Sequence, residues 1–134
     1  MAAQLSTKAR AYLNEHRFAV LATYNEDGTV QQTVMWYLLE GDTIVMNTKK
    51  GRKKYNNLLR NPRISVCVPN GYIYLTLSGT VELIDDPQTA QHDIYRLALL
   101  NHGEMEAQEQ MRQQFSKEQR VTIRMKIDHT IEDL

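Results

Sequence analysis

Apolar and polar positions alternate most regularly between Tyr72 and Ile84. There Ile73, Leu75, Leu77, Gly79, Val81 and Leu83 fall on one side of an extended chain, and Tyr74, Thr76, Ser78, Thr80 and Glu82 fall on the other. That pattern predicts a strand with one buried face, and its mid-strand Gly79 predicts a bulge or bend. Shorter runs of the same kind predict strands from Arg17 to Tyr24, Thr29 to Leu39, Thr43 to Thr48, Arg63 to Val68 and Val121 to Asp128. The turns between them carry Asp27-Gly28, Gly41-Asp42 and Pro69-Asn70-Gly71, so most neighbours are hairpin-linked and antiparallel. Periodicity shifts to the helical kind in four places. Ser6 to about His16 has Ser6 or Thr7 as N-cap. Arg52 to about Asn61 ends before Pro62, with Tyr55, Leu58 and Leu59 as its expected buried stripe. A longer helical region starts at Asp86-Pro87, is broken at Gly103 and resumes to about Phe115. Six uneven strands with a bend in the longest one predict a closed or nearly closed antiparallel barrel, with helices on the outside.

Composition narrows the class. The 134 residues are 42% apolar and 24% charged, the proportions of a globular protein with a core of its own. The chain reads as one domain over residues 1–134. The one cysteine, Cys67, excludes an internal disulfide framework and a multi-cysteine zinc centre. It lies in Ile64-Ser-Val-Cys-Val and reads as a small buried hydrophobe. No apolar run approaches the roughly 20 residues of a membrane-spanning helix, and Met1-Ala-Ala-Gln-Leu-Ser is not a signal sequence; the expected location is the cytoplasm.

The formal net charge is zero, but it is unevenly spread. Residues 49–63 carry Lys49, Lys50, Arg52, Lys53, Lys54, Arg60 and Arg63 and no acid, whereas residues 82–109 carry seven acids against Arg96 alone. A nucleic-acid-binding barrel would be basic overall, so the cationic segment points to a local anion site. Five of these cations lie before or in the first turn of the predicted helix, where the dipole already disfavours positive charge by about 0.3–1 kcal/mol each. A phosphate at that end would meet free N–H groups and several cationic side chains, and Gly51 lets the backbone approach it. Elsewhere the sequence offers little chemistry. His16, His92, His102 and His129 show no metal-ligand spacing, Asp85-Asp86 reads as a helix cap, and no nucleophile motif exists. No catalytic side chain and no metal site is assigned, so an enzyme of this sequence would rely on a bound cofactor. Met35, Trp36 and Tyr37 put aromatic surface on the second strand, fit for core packing on one face and for a planar ring on the other.

The segment Asn47-Thr48-Lys49-Lys50-Gly51-Arg52-Lys53-Lys54-Tyr55 through Asn61-Pro62-Arg63-Ile64-Ser65-Val66 resembles the pyridoxamine-phosphate-oxidase-like family of flavin- and deazaflavin-binding split barrels. The shared pattern is a strand ending in Thr, a Gly-containing loop, a basic pair, a short helix, then Asn-Pro-Arg and a strand. Ala19-Val20-Leu21-Ala22-Thr23 with Asp27-Gly28, and Gly79-Thr80-Val81-Glu82-Leu83, extend the likeness. The short chain and Arg120-Val121-Thr122-Ile123 look like the small deazaflavin branch.

The resemblance implies a mainly β fold, a six-stranded antiparallel split β-barrel with peripheral helices, assembled as a homodimer with cofactor sites at the subunit interface. It implies FMN or the deazaflavin coenzyme F-420 as cofactor, and hydride transfer to a small conjugated substrate. Lys54 falls at the family's phosphate-binding lysine, with Arg52 and Lys53 beside it and Lys49 and Gly51 in the same loop. Asn47 and Thr48 fall where the strand end meets the cofactor, and Thr33, Val34, Met35 and Trp36 where a strand backbone runs along the ring. The second strand lacks the Arg and Lys that vitamin B6 oxidases place near the flavin, which counts against pyridoxine phosphate oxidation. The alternative within the fold is a non-catalytic flavin- or haem-binding protein.

Overall fold

The computed structural model describes residues 4–15 and 18–134; the sequence-based expectations for His16 and Arg17, the last helical and first strand residues, lie outside them. The elements run α1 (Thr7–Glu15), β1 (Phe18–Tyr24), β2 (Val30–Trp36), β3 (Leu38–Glu40), β4 (Thr43–Lys49), α2 (Lys53–Arg60), β5 (Arg63–Asn70), β6 (Ile73–Ile84), α3 (Pro87–His102), α4 (Glu104–Gln113), a 3-10 turn (Phe115–Lys117) and β7 (Arg120–Asp133). The fold is mainly β with peripheral helices, as expected, but among the described residues it has seven strands rather than six. The predicted second strand, Thr29 to Leu39, divides at Tyr37. Its phenol is buried and donates a 2.8 Å hydrogen bond to the carbonyl of Leu13 in α1. Residues before this anchor pair with β1, and residues after it pair with β4.

That break closes the fold. The seven strands form one antiparallel sheet in the order β2-β1-β5-β6-β7-β4-β3. The two outermost strands are therefore joined by a single residue. A flat sheet cannot bring its edges that close, so this one curls into a split half-barrel. The curl is helped at Gly79. Ser78 pairs with His129 but Gly79 pairs with Ile127, leaving Asp128 as an extra residue. A Cβ at Gly79 would lie 1.9 Å from the carbonyl oxygen of Lys126, so only glycine fits there.

The inner face carries the main core: Leu21, Ile44, Met46, Val66, Val68, Leu75, Leu77, Ile123, Met125 and Ile127, sealed by Ala9, Tyr12 and Leu13 of α1. The Tyr12 hydroxyl donates to the carbonyl of Val68 at 2.8 Å. A second cluster lies on the other side of β4, where Leu38 and Val45 pack against Ile94, Leu97 and Ala98 of α3, Ala107 of α4 and Phe115. As the sequence predicts, Asp86 caps α3 through Thr89 with Pro87 at its start, and Gly103 separates α3 from α4. Cys67 departs from expectation. It is only half buried, because it sits on the outer face of β5 between the inward Val66 and Val68.

Candidate anion and ring site

The short helix α2 forms where expected, but it turns a different face inward. Lys54, Asn57 and Leu58 are buried, Tyr55 is half buried, and Leu59 stands 61% exposed. The expected stripe of Tyr55, Leu58 and Leu59 is thus rotated by about one residue. The cause is polar. The Asn57 amide donates to Thr23 Oγ1 at 3.1 Å and to Asn25 Oδ1 at 3.0 Å, and its oxygen accepts from Arg60 at 2.6 Å. These bonds dock the helix on the β1–β2 hairpin and carry Lys54, one turn earlier, into the interior. Periodicity counts only apolar residues, so it could not report an amide anchor.

Lys54 is 8% exposed and forms no hydrogen bond or ion pair with the described residues. Burial pushes its pKa below the ordinary 10.5, and the neighbouring charges of Arg52 and Arg120 push it the same way. A lysine so largely covered by the fold and given no acid partner is less favourable than a paired one. Arg52 occupies the N-cap of α2 with no side-chain cap, so the first amide N–H groups of the helix are open as well. Before them, Gly51 takes a backbone φ of +88°, a conformation that favours glycine.

The remaining cations are differently placed. Lys49 pairs with Glu118 at 3.6 Å and Lys50 with Asp85 at 2.8 Å. Lys53 points toward the Asp27 hairpin turn and lines a shallow surface pocket there. Sequence reasoning passed over Arg120 as a site residue. Its side chain is 9% exposed, its Nε donates to Asn47 Oδ1 at 2.9 Å, its Nη1 meets Glu118 at 3.0 Å, and its guanidinium lies 5.1 Å from the centre of the Phe115 ring. Burial lowers its pKa from the ordinary value. Arg120 is 66 positions beyond Lys54 in sequence; only the direct pairing of Lys49 with Arg120 across β4 and β7 brings it to this corner.

Arg120 and Asn47 also face a cleft of about 300 Å³ whose other walls are mostly apolar: Phe18, Val34, Met35, Trp36, Ile94, Leu97 and Phe115. Three of the four predicted ring-contacting residues, Val34 to Trp36, therefore line one cavity. Trp36 is held edge-on by His102, 5.2 Å away, and by Phe115, 6.3 Å away. Asn47 is fixed from both ends, since its amide donates to the carbonyl of Ala90 at 2.9 Å while its oxygen receives Arg120. Thr48 is buried beside it. The fourth residue, Thr33, has a buried hydroxyl with no hydrogen-bond partner among the described residues. Its strand β2 is an edge of the sheet, so one row of its backbone N–H and C=O groups is outside the ladder.

A curled antiparallel half-barrel with peripheral helices, carrying a cationic corner beside an aromatic cleft, defines the class of split barrels. Comparison places the chain within it. Residues 5–131 match the family model of pyridoxamine 5'-phosphate oxidase, and the chain belongs to that family. No curated protein matches the chain. Among solved structures, the chain is similar to a conserved hypothetical protein from Mycobacterium tuberculosis, with 25% identity over 96% of this chain and 84% of that one, and a TM-score of 0.79. It is similar to an F-420 reductase at 24% identity, covering 95% and 98% of the two chains, with a TM-score of 0.75. It also shares its fold with HutZ, a haem storage protein from Vibrio cholerae, at 13% identity, 97% and 95% coverage, and a TM-score of 0.72. Among the described residues no helix is long and apolar enough to cross a membrane.

Proposed function

We propose that the protein binds a phosphorylated flavin-type cofactor, FMN or coenzyme F-420, and uses it to reduce a small conjugated substrate. The observation that carries this reading is Lys54, a cation nine-tenths buried with no acceptor, at the open N-terminus of α2. A phosphoryl group is the acceptor this corner lacks. It would meet two helix N–H groups, Lys54 and Arg52, and charge-assisted bonds of this kind contribute about 1.5–3 kcal/mol each. The orphaned Thr33 hydroxyl and the free edge of β2 supply hydrogen-bonding groups suited to the rim of a heterocycle. When bound in reduced form, such a cofactor supplies a hydride to the substrate. The chain's own part is positional: Trp36, Phe18 and Phe115 give the cleft apolar walls, and Arg120 sets a fixed positive charge at its edge. Lysine and arginine are absent from Thr33 to Tyr37, which disfavours a second phosphate beside the ring and with it a vitamin B6 phosphate as substrate.

The same reading includes a second copy of the chain. Val34, Val20, Cys67, Thr76 and Ile131 form one row of paired positions across the outer face of five strands. Phe18, Val30, Val34 and Ile131 are each more than half exposed on that side. An apolar face of this extent suits a self-complementary interface. Sedimentation should give a dimer; a monomer at micromolar concentration overturns this part.

Fluorescence titration with FMN, riboflavin and coenzyme F-420 tests the whole. FMN or coenzyme F-420 should quench saturably, and riboflavin, which lacks the phosphate, should bind far more weakly. Equal affinity for FMN and riboflavin overturns the phosphate assignment. Saturable binding without reductase activity over a broad panel of conjugated substrates would make the protein a carrier instead.

A further inference from the structure

The aromatic cleft beside the anion corner has a charged end that a phosphate at Lys54 leaves unused. Arg120, which forms that end, stands apart from the other ion-paired arginines. Arg10, Arg96, Arg112 and Arg124 are each 29% exposed or more in the side chain, against 9% for Arg120. Its neighbours hold it in place: Nε donates to Asn47, Nη1 donates to Glu118, and the guanidinium lies over the Phe115 ring. Nη2 has no hydrogen-bond partner among the described residues. It is not sealed in either, as the orphaned Nε of Arg124 is. The cavity that Arg120 lines is the aromatic cleft, so the open nitrogen is offered there. Its charge is not cancelled. Glu118 answers two cations, since its other oxygen lies 3.6 Å from Lys49, and none of the cleft's lining residues is acidic. The three groups together keep one net positive charge.

The rest of the cleft is apolar, with aromatic walls from Phe18, Trp36 and Phe115. At about 300 Å³ it is at the small end of ligand sites. A complementary ligand has a flat apolar body of about one ring and a single anionic group at one end. A phosphate dianion asks for more than one cation, and the lining holds Arg120 alone; a carboxylate carries one charge. We propose that this cleft binds a small planar carboxylic acid, aryl or α,β-unsaturated, with its carboxylate on Arg120 Nη2 and its flat body among Trp36, Phe18 and Phe115. A guanidinium held by fixed neighbours makes a strong charge-assisted bond to such an oxygen. That the acid is also the substrate rests on the function proposed above; that it binds rests on the cleft alone. Phe18 and Val34 belong to the face assigned to a second copy, which would wall the mouth. The charged end, on β4, the 3-10 turn and the first residue of β7, lies outside that face.

The test uses the full chain, labelled with nitrogen-15 and without added cofactor. Trp36 is its one tryptophan, so a single indole N–H signal reports the cleft. The probes are trans-cinnamate, sorbate and benzoate, each at about 10 mM, a concentration that mostly fills a millimolar site, and their uncharged amides. At least one acid should move the indole signal saturably and leave the backbone signals of Asp27 and Gly28, at the far end of the β1–β2 hairpin, in place. Its amide should bind at least about tenfold more weakly, because it cannot form the charge-assisted bond. In Arg120→Gln the acid should fall to within about threefold of its amide. The proposal is overturned if none of the acids moves the indole signal, if acid and amide bind equally, or if a folded Arg120→Gln protein keeps the preference. Should that variant not fold, the acid and amide titrations of the native chain decide alone. Phosphate-dependent FMN binding without acid binding would sink this site and spare the cofactor reading. Acid binding with equal affinity for FMN and riboflavin would do the reverse.

Discussion

Two halves of one cationic segment behave in opposite ways. Lys49 and Lys50 lie at the end of β4, and both meet carboxylates, from Glu118 and Asp85. Lys54, four residues on, is more deeply buried than either and meets none; its charged neighbours, Arg52 and Arg120, are cations too. In sequence these lysines look alike. In the structure two are neutralised locally, while one is buried and left open. An anion site is defined by the second kind. A count of charges therefore overstates the site, and a map of their partners locates it.

The contrast is most sharply tested by removing the open cations. Lys54→Ala combined with Arg52→Ala should weaken FMN by about two to four orders of magnitude, from two lost charge-assisted bonds of about 1.5–3 kcal/mol each. Riboflavin affinity should stay within threefold by the same fluorescence titration. A matching loss for both ligands would mean that the fold, not the phosphate contact, had been damaged. Asn57→Ala should come next. It strips the amide anchor of α2 and should cost about 1–3 kcal/mol in urea-induced unfolding. It should also weaken FMN, because Lys54 is held inward by that anchor.

The pH dependence follows from the depressed pKa of Lys54. As pH rises through that lowered value, the lysine loses its proton and FMN affinity should fall, by at most about tenfold per pH unit for a single proton. Stability without ligand should move oppositely. Between the lowered pKa and the ordinary 10.5 the unfolded chain holds more protons than the folded one, so rising pH favours folding in that window. At pH values near that lowered pKa, binding of FMN should therefore be accompanied by proton uptake, measurable by calorimetry in buffers of different ionisation enthalpy. The smallest effect should come from the paired lysines. Lys49→Ala and Lys50→Ala should each change FMN affinity by less than about threefold, as exposed ion pairs contribute little. A large effect from either would move the anion site toward β4.

Much of the fold was legible because its signals are local. Alternation in Ile73–Ile84, the Asp86-Pro87 start of α3 and the break at Gly103 each depend on a few adjacent residues. The failures share a different property. Tyr37 divides a strand through a bond to α1, Asn57 turns α2 through bonds to the β1–β2 hairpin, and Cys67 is half exposed because of which face of β5 it occupies. Each depends on a partner distant in sequence. Of the candidate residues, Val34, Met35, Trp36 and Asn47 meet in one cleft and Lys54 with Arg52 at one corner, whereas Lys49 is tied to Glu118 and Lys53 faces a separate turn.

By itself, then, the amino-acid order determined the kinds and approximate limits of the elements, the glycine positions and the presence of a cation-rich helix start. Those follow from backbone sterics, side-chain periodicity and capping, which act over a few residues. The tertiary structure decided which lysine lies buried without a partner among the described residues, and brought Arg120 beside it. Electrostatic pairing depends on distance in space, and the curl of the sheet sets that distance.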